Sequence, residues 1–411
     1  MKKTHRVSES LIVAIDIGTT KICVLVAYKT PDNNLDIVGI GKAPSDGLAR
    51  GVVVDVARAV RSIKAALAEA QLMSGIAIES AYIGISGSHI QSCNSQGVVA
   101  LRNGPIRETD IAHVIAAAKA VPLPEGQHIL HVLPQFFIID GQHKVRDPLG
   151  MHGIRLEAQV HIITGALASV QNLVRCCELA GVKVRDIILE PLASADAVLS
   201  PDEKELGAFM LDIGGGTADF AFYQQGTVRH TYVIPIAGDL FTQDIALCLR
   251  TTLDDAERIK HEFGCASTRF VPSREMIEVE MAQGGQMGEV SQEVLAAILE
   301  SRAQELLMLV AQEIDSNYLD APAGLVLTGG GSLLRGLDIL AQEMLGIPAR
   351  VGRPFVSQDF STALESPMYA TSYGLLVHAA NKTESEMLTH LDGPFVIRVF
   401  SRMKSWVFDF F

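Results

Sequence analysis

Two stretches of this chain, IVAIDIGTTKICVLVA around Asp16 and AFMLDIGGGTADFAFY around Asp212, repeat one pattern. Each is an apolar run ending in Asp, Ile and Gly, then small hydroxyl or glycine residues, then a second apolar run. The duplication demands two equivalent β-hairpins in two related halves, each with a tip stripped of side chains. A bare tip lets backbone N–H groups approach a polyphosphate, and an Asp at the strand end can hold a hydrated Mg²⁺. One isolated copy would read as an ordinary tight turn, because Asp and Gly recur in turns everywhere. Two copies in equivalent context read as facing halves of a clamp around one nucleotide.

A third element, AGLVLTGGGSLLRGLDILAQEML, runs from an apolar strand ending near Thr328 through Gly329, Gly330 and Gly331 into an amphipathic helix. Ser332 is placed to cap that helix, and free N–H donors at its start would suit an anion or the flat face of a nucleoside. Neither G-x-x-x-x-G-K-[ST] nor a G-x-G-x-x-G opening a βαβ unit occurs, so P-loop and Rossmann phosphate binding are excluded.

These residues resemble the actin, Hsp70 and sugar-kinase superfamily. DIGTTK matches the first phosphate loop (Asp16, Gly18, Thr19, Thr20, Lys21), DIGGGTAD the second (Asp212, Gly214, Gly215, Gly216, Thr217), and LTGGGS the adenosine loop (Gly329, Gly330, Gly331, Ser332). ILEPLASADAVL at 188–199 and SPMYATSYGLLVHAA at 366–380 resemble its two connecting helices. Within the superfamily the chain is similar to the FtsA family, whose inserted subdomain is matched by ISGSHIQSCNSQG and HVLPQFFIIDGQHKVRDPLGMHGIRLEAQVHIITG.

The resemblance implies an α/β, two-lobed, actin-like (ribonuclease H-like) ATPase fold with an FtsA-type insertion and a C-terminal amphipathic helix. We divide the chain into subdomain IA at 1–85, with 166–206 and 358–380, and the inserted subdomain IC at 86–165. Subdomain IIA is 207–240 with 318–357, and IIB is 241–317; a linker at 381–393 leads to the amphipathic helix at 394–411. Periodicity predicts strands at 11–17, 22–28 and 35–41, a helix from Asp55 to Met73 and another in ETDIAHVIAAAKAV. Long alternating strands such as HILHVLPQFFIID fill the insertion, and helices TLDDAERIKHEFG and QEVLAAILESRAQELLMLVAQEI fill the second.

Composition bounds the partners. The chain's 411 residues, 48% apolar and 20% charged, supply core for two lobes, and a net charge of −13 argues against general nucleic-acid binding. The cysteines Cys23, Cys93, Cys176, Cys177, Cys248 and Cys265 form no C-x-x-C and fit buried, reduced thiols in a cytosol. The apolar run LIVAI is too short for a signal peptide or a spanning helix, so the bulk of the protein is expected in the cytoplasm.

Individual side chains carry competing readings. Asp16 and Asp212 would organise Mg²⁺ through water, or merely cap their own turns. Lys21 would reach the β- or γ-phosphate of ATP, or be simply solvated. Glu190, ending the strand VRDIILE, stands where superfamily members present a residue to the attacking water, although an acid there is not a fixed feature of FtsA and a Glu before Pro191 also complements a helix dipole. Glu257 and Lys260 share a helix face that the resemblance places over ribose and adenine; otherwise they are a surface ion pair. Arg302 and Glu305 are the candidates for partner docking, or a solvated helix face.

The C-terminal PFVIRVFSRMKSWVFDFF reads as a membrane-surface helix. At about 100° per residue, Phe395, Val396, Val399, Phe400, Met403, Trp406, Val407, Phe410 and Phe411 form one apolar arc. Arg398, Ser401, Arg402, Ser405 and Asp409 lie opposite, with Lys404, Ile397 and Phe408 on the flanks. The alternative is a helix packed on its own lobe or on a partner. The linker from Asn381 to Gly393 reaches about 45 Å when extended, enough to leave the body. The basic residues contribute roughly 2 kcal/mol of attraction to anionic lipid, and insertion of the apolar arc several-fold more. A single short helix is a reversible anchor, so self-association would strengthen attachment.

Together with the FtsA resemblance, these readings imply an ATP- and Mg²⁺-binding division protein, at most a weak ATPase. It would polymerise with itself into protofilaments on anionic lipid and join the tubulin-like FtsZ ring and other division proteins to the cytoplasmic face of the bacterial inner membrane. The alternative in another class is a small-molecule kinase of the same superfamily; no substrate pocket for one is legible, and an Hsp70-like peptide-binding domain has no room after Ala380.

Overall fold

In the computed structural model the described residues are 10–32, 34–102, 104–272, 275–282, 286–317, 319–356 and 364–381. The expectations for 382–411, including every membrane-facing side chain, lie outside them.

The first hairpin forms as its alternation requires. β1 (Ser10–Ile17) and β2 (Lys21–Lys29) pair antiparallel up to Ile17 opposite Ile22, which leaves Gly18, Thr19 and Thr20 as the tip. β3 (Leu35–Pro44) follows, then the short ladder of β4 (Leu48–Ala49) and β5 (Val52–Val53), then α1 (Val56–Ser74). Asp55 caps α1 by accepting from the Arg58 N–H, and Gly75 ends it in the left-handed conformation that a β-carbon disfavours (φ 69°). β6 (Ser80–Ile85) returns beside β1.

The inserted unit then begins with β7 (Gln91–Ala100), α2 (Glu108–Ala118), β8 (Gln127–Ile139), β9 (His143–Val145) and β10 (Arg155–Ala166), an antiparallel sheet in the order β7-β10-β8-β9. One face packs on α2 through Val114, Ile115, Leu156, Val160 and Ile162. β10 runs directly into α3 (Leu167–Leu179), and β11 (Lys183–Leu189) completes the first lobe's sheet, β11-β6-β1-β2-β3. α4 (Glu190–Val198) and α5 (Pro201–Leu206) lead to the second lobe.

There β12 (Ala208–Ile213), β13 (Ala218–Gln224) and β14 (Thr227–Ile234) repeat the opening meander. After α6 (Gly238–Leu249), α7 (Leu253–Phe263), the hairpin β15 (Met276–Glu280) with β16 (Met287–Ser291), and α8 (Gln292–Ser316), the chain returns through β17 (Leu325–Thr328), α9 (Leu337–Leu345) and β18 (Ala349–Val351). The second sheet, β14-β13-β12-β17-β18, has the strand order and directions of the first: two antiparallel pairs, then two parallel ones. α10 (Ala370–Asn381) then crosses α4.

Three expectations change. α6 was not foreseen, and it starts at Gly238 because the N–H groups of Gly238 and Asp239 bond the carbonyls of Gly214 and Gly215; a boundary at Phe241 would divide this helix. Asn381 closes α10 instead of opening the linker. Cys93 and Cys248 are exposed, the first on the edge strand β7 and the second on α6; the other four thiols are buried, and all six are free.

Candidate functional site

The two hairpin tips meet. A β-carbon on Gly215 would lie 2.4 Å from Thr20 Cγ2, and one on Gly216 2.5 Å from Thr19 Oγ1. The bare second tip is therefore also a packing requirement: no side chain fits where the threonines of the first tip abut it. Gly18 and Gly214 repeat one turn geometry, each N–H donating to the carbonyl three residues on, Lys21 or Thr217.

Asp16 and Asp212 end the equivalent strands β1 and β12, and both are buried. Their orientation comes from the crossing helices. Ser372 Oγ on α10 donates to Asp16 Oδ2 at 2.9 Å; Thr371 Oγ1, also on α10, and Ser194 Oγ on α4 donate to Asp212 Oδ2 at 3.0 and 2.5 Å. Lys21 Nζ lies 3.8 Å from Asp16 Oδ2, over the Tyr369 ring, and donates to the Met368 carbonyl. It is thus anchored at the start of α10 beside the first tip.

Two further carboxyls join the group. Glu190 opens α4, and Asp219, on β13, accepts from Ser86 Oγ at 2.5 Å and Thr217 Oγ1 at 3.4 Å. Burial, then repulsion from Asp16, Asp219 and Asp212, pushes the Glu190 carboxyl well above the usual range. Burial, opposed by the Ser86 and Thr217 hydroxyl donors and assisted by repulsion from Asp212, brings Asp219 to about 7, and burial also raises Asp212. Such crowding of like charge fits a site that receives a cation. Among the described residues no three acidic, histidine or cysteine side chains converge closely enough to ligate a metal directly; Asp16 and Asp212, buried at the ends of their strands, would meet a hydrated Mg²⁺ only through its waters.

The third glycine loop lies against the second hairpin: β-carbons on Gly329 and Gly331 would meet Asp212 Oδ1 at 2.3 Å and Ile213 Cγ2 at 2.4 Å, whereas Gly330 has nothing within 4 Å. Ser332 does not cap the following helix. Its buried hydroxyl donates back to the Gly329 carbonyl at 2.7 Å inside a 3₁₀ turn, Gly330–Leu333, and α9 begins only at Leu337 after Gly336. Glu257 and Lys260 pair at 2.6 Å on α7, and Lys260 Nζ also donates to Thr242 Oγ1 at 2.7 Å and to the Gly238 carbonyl at 3.2 Å. That ties them to the start of α6, which rests on Gly214 and Gly215. Arg302 and Glu305 lie apart from this group, on α8, where Arg302 forks onto Asp244 of α6 at 2.6 and 2.9 Å and also binds Glu305.

Sequence reasoning did not single out Ser86, Ser194, Asp219, Thr371 or Ser372. The available signal was the hydroxyl residues inside the small-residue helices LASADAV and ATSYGLL, since a buried hydroxyl requires a partner.

Duplicated lobes, acidic glycine-tipped hairpins facing each other and paired crossing helices define an actin-like two-lobed protein. The fold is similar to that of the PilM-PilN type IV pilus biogenesis complex (TM-score 0.66, 18% identity, covering 90% of this chain and 99% of that one). It is also similar to MreB5 of Spiroplasma citri bound to AMPPNP (TM-score 0.57, 15% identity, 92% and 98% covered). The model of cell division protein FtsA matches residues 209–374, and that of the SHS2 domain inserted in FtsA matches 87–164. Cell division protein FtsA of Pseudomonas aeruginosa is 45% identical over 97% of this chain and 98% of its own length, and that of Escherichia coli K12 36% identical over 99% and 97%. The chain belongs to the FtsA family of cell division proteins.

Proposed function

We propose that this division protein binds ATP with Mg²⁺ between its lobes and serves as a polymerising, membrane-attached scaffold for the FtsZ ring. The observation that carries the nucleotide reading is the convergence of both hairpin tips and the third glycine loop around Asp16 and Asp212, with each carboxylate oriented by a hydroxyl from the crossing helices.

In this reading the N–H groups of residues 19–20 and 215–217 face the phosphates while those of Gly18 and Gly214 close their own turns, Lys21 supplies a point charge, and residues 329–332 with Glu257 and Lys260 enclose the nucleoside. Mg²⁺, when bound, supplies positive charge to the phosphate oxygens. Asp16 and Asp212 orient its water shell. Glu190 would orient the attacking water; burial and the neighbouring carboxyls of Asp16, Asp219 and Asp212 push its carboxyl up, disfavouring the charged form. Ligand closing the lobes acts on α4 and α10, so nucleotide would bias the subunit's shape only by its differential affinity for the two states.

Subdomains IA, IC, IIA and IIB would follow the division given above, with the IIA–IIB boundary moved to Gly238 so that α6 stays whole and with Asn381 kept in α10. Arg302 and Glu305 would form part of the docking face for FtsZ, with Asp244 releasing Arg302 when an acidic partner arrives. The segment 394–411 attaches the body to the inner face of the bacterial membrane as a peripheral anchor. No helix among the described residues is long and apolar enough to cross a membrane.

Co-sedimentation with anionic vesicles, with and without ATP·Mg²⁺, tests the proposal by comparing the full chain with one truncated after Gly393. Pelleting that requires the tail and increases with nucleotide is expected; pelleting indifferent to both would overturn it.

A further inference from the structure

The inserted domain belongs covalently to the first lobe, since β7 follows β6 through residues 86–90 and β10 runs into α3. Its polar face, however, grips the second lobe. In β14 the register passes from Phe222 opposite His230 to Tyr223 opposite Val228, so Arg229 bulges out of the ladder with no partner on β13. Its carbonyl accepts from Gln135 Nε2 at 3.1 Å and Asn94 Nδ2 at 3.3 Å. Gln135 Nε2 also lies 3.0 Å from the Val228 carbonyl and 3.1 Å from Asn94 Oδ1, and Ser92 Oγ donates to the Thr231 carbonyl at 2.7 Å.

His161, fully buried, closes the cluster. Asn94 turns its amide nitrogen to Arg229, so its oxygen faces His161 Nδ1 at 2.8 Å; Nδ1 must carry the proton, and Nε2 accepts from Thr231 Oγ1 at 2.9 Å. On the rim, the Arg229 guanidinium lies over the Phe136 ring at 5.3 Å. Every one of these contacts is made by a side chain. Among the described residues no strand ladder joins the inserted sheet to β14, so the grip can release without unravelling either sheet.

We propose that this clasp is an inter-lobe latch. The inserted domain, anchored in the first lobe, holds the second by the Arg229 bulge, favours the closed cleft and slows release of whatever the cleft contains. A partner that displaces Gln135 or Asn94 would open the cleft, and by reciprocity a ligand that closes the cleft would oppose that partner. The effect on ligand release rests on the nucleotide reading; the effect on lobe separation does not.

The test uses the full chain with Cys93→Ser and Cys248→Ser, spin-labelled at Leu72→Cys and Leu247→Cys, two exposed positions on α1 and α6. Double electron–electron resonance without nucleotide gives the inter-lobe distance distribution, and release of a fluorescent ATP analogue is followed in parallel. Gln135→Leu should broaden the distribution towards longer distances and speed release at least fivefold while the far-ultraviolet circular dichroism stays that of the parent. An unchanged distribution in the folded variant overturns the latch. If the parent binds no ATP analogue, the nucleotide reading fails, and the distance distribution still decides the latch. Should Gln135→Leu not fold, Ser92→Ala removes one bond at the edge, and its distribution is judged in the same way.

Discussion

The crossing of α4 and α10 holds the site together, and Gly374→Ala tests it. A β-carbon at Gly374 would lie 1.8 Å from the Ala193 carbonyl oxygen and 2.3 Å from its carbon, where ordinary contact begins at 3.4 Å. Both neighbours are helix backbone, so the helices must part by about 1.5 Å. Thr371 and Ser372 lie within the turn of α10 before Gly374 and Ser194 follows Ala193, and their hydroxyl bonds of 2.5 to 3.0 Å to Asp212 and Asp16 do not survive such a gap. Overpacking costs about 1–3 kcal/mol, and leaving buried carboxylates without donors adds about 1–3 kcal/mol. For lobes of this size, a loss of about 4 kcal/mol lowers Tm by roughly 10 °C. ATP affinity should fall with it, because the carboxylates lose their orientation. Circular-dichroism melting and titration calorimetry read the two effects. Gly330→Ala is the companion, its added carbon meeting nothing within 4 Å, so Tm should hold. A Gly374→Ala protein that melts and binds ATP like its parent would refute the argument that this crossing sets the carboxylates.

Gly215→Asp forces a side chain into Thr20, 2.4 Å from the new β-carbon, and adds negative charge beside Asp212; ATP binding should drop by at least about 100-fold, and retained affinity in calorimetry would show that this tip does not face phosphate. Trp406→Glu should remove the protein from anionic vesicles without altering ATP binding, and undiminished pelleting would count against the membrane helix. Burial and the neighbouring His230 hold His161 neutral down to about 3, whereas the unfolded chain protonates it near 6.5. Acidification therefore favours unfolding, and the stability present above pH 6.5 is lost at about 1.4 kcal/mol per unit towards pH 3. His161→Gln should flatten that slope by about 2 kcal/mol between pH 7.5 and 5 in urea titrations; parallel slopes for the two proteins would contradict a neutral buried imidazole.

The duplication was legible because both hairpins are local: a strand, a turn and a strand contiguous in sequence need only the period-two apolar pattern and small turn residues. The extent of α1, expected from Asp55 to Met73 and found at Val56–Ser74, was legible for the same reason. The hydroxyl donors to Asp16 and Asp212 were not. Ser194 and Asp212 are 18 residues apart, but Ser372 and Asp16 are 356 apart, and only the crossing of α4 and α10 brings them together. Ser332 shows the converse failure: a serine before an apolar run is a sound capping signal, yet the glycines before it permit a 3₁₀ turn that uses the hydroxyl on its own backbone.

The glycines of the second tip admit two physical explanations, and both apply. A bare tip was inferred from the needs of a ligand, while the structure adds a need of the protein: Gly215 and Gly216 have no room for side chains because Thr20 and Thr19 occupy it. The first tip carries threonines where the second carries glycines, an asymmetry that identical halves could not have, since two bulky tips would clash and two bare ones would leave a gap. The duplicated halves have therefore diverged to fit each other at the point where they meet. This makes the tip contact a property of the closed pair of lobes, so Thr20→Gly, which removes the interlocking side chain and no phosphate-facing N–H, should loosen closure while sparing the backbone donors. Weaker ATP binding with unchanged melting would separate the two roles; affinity equal to the parent's would show that the interlock contributes nothing to closure.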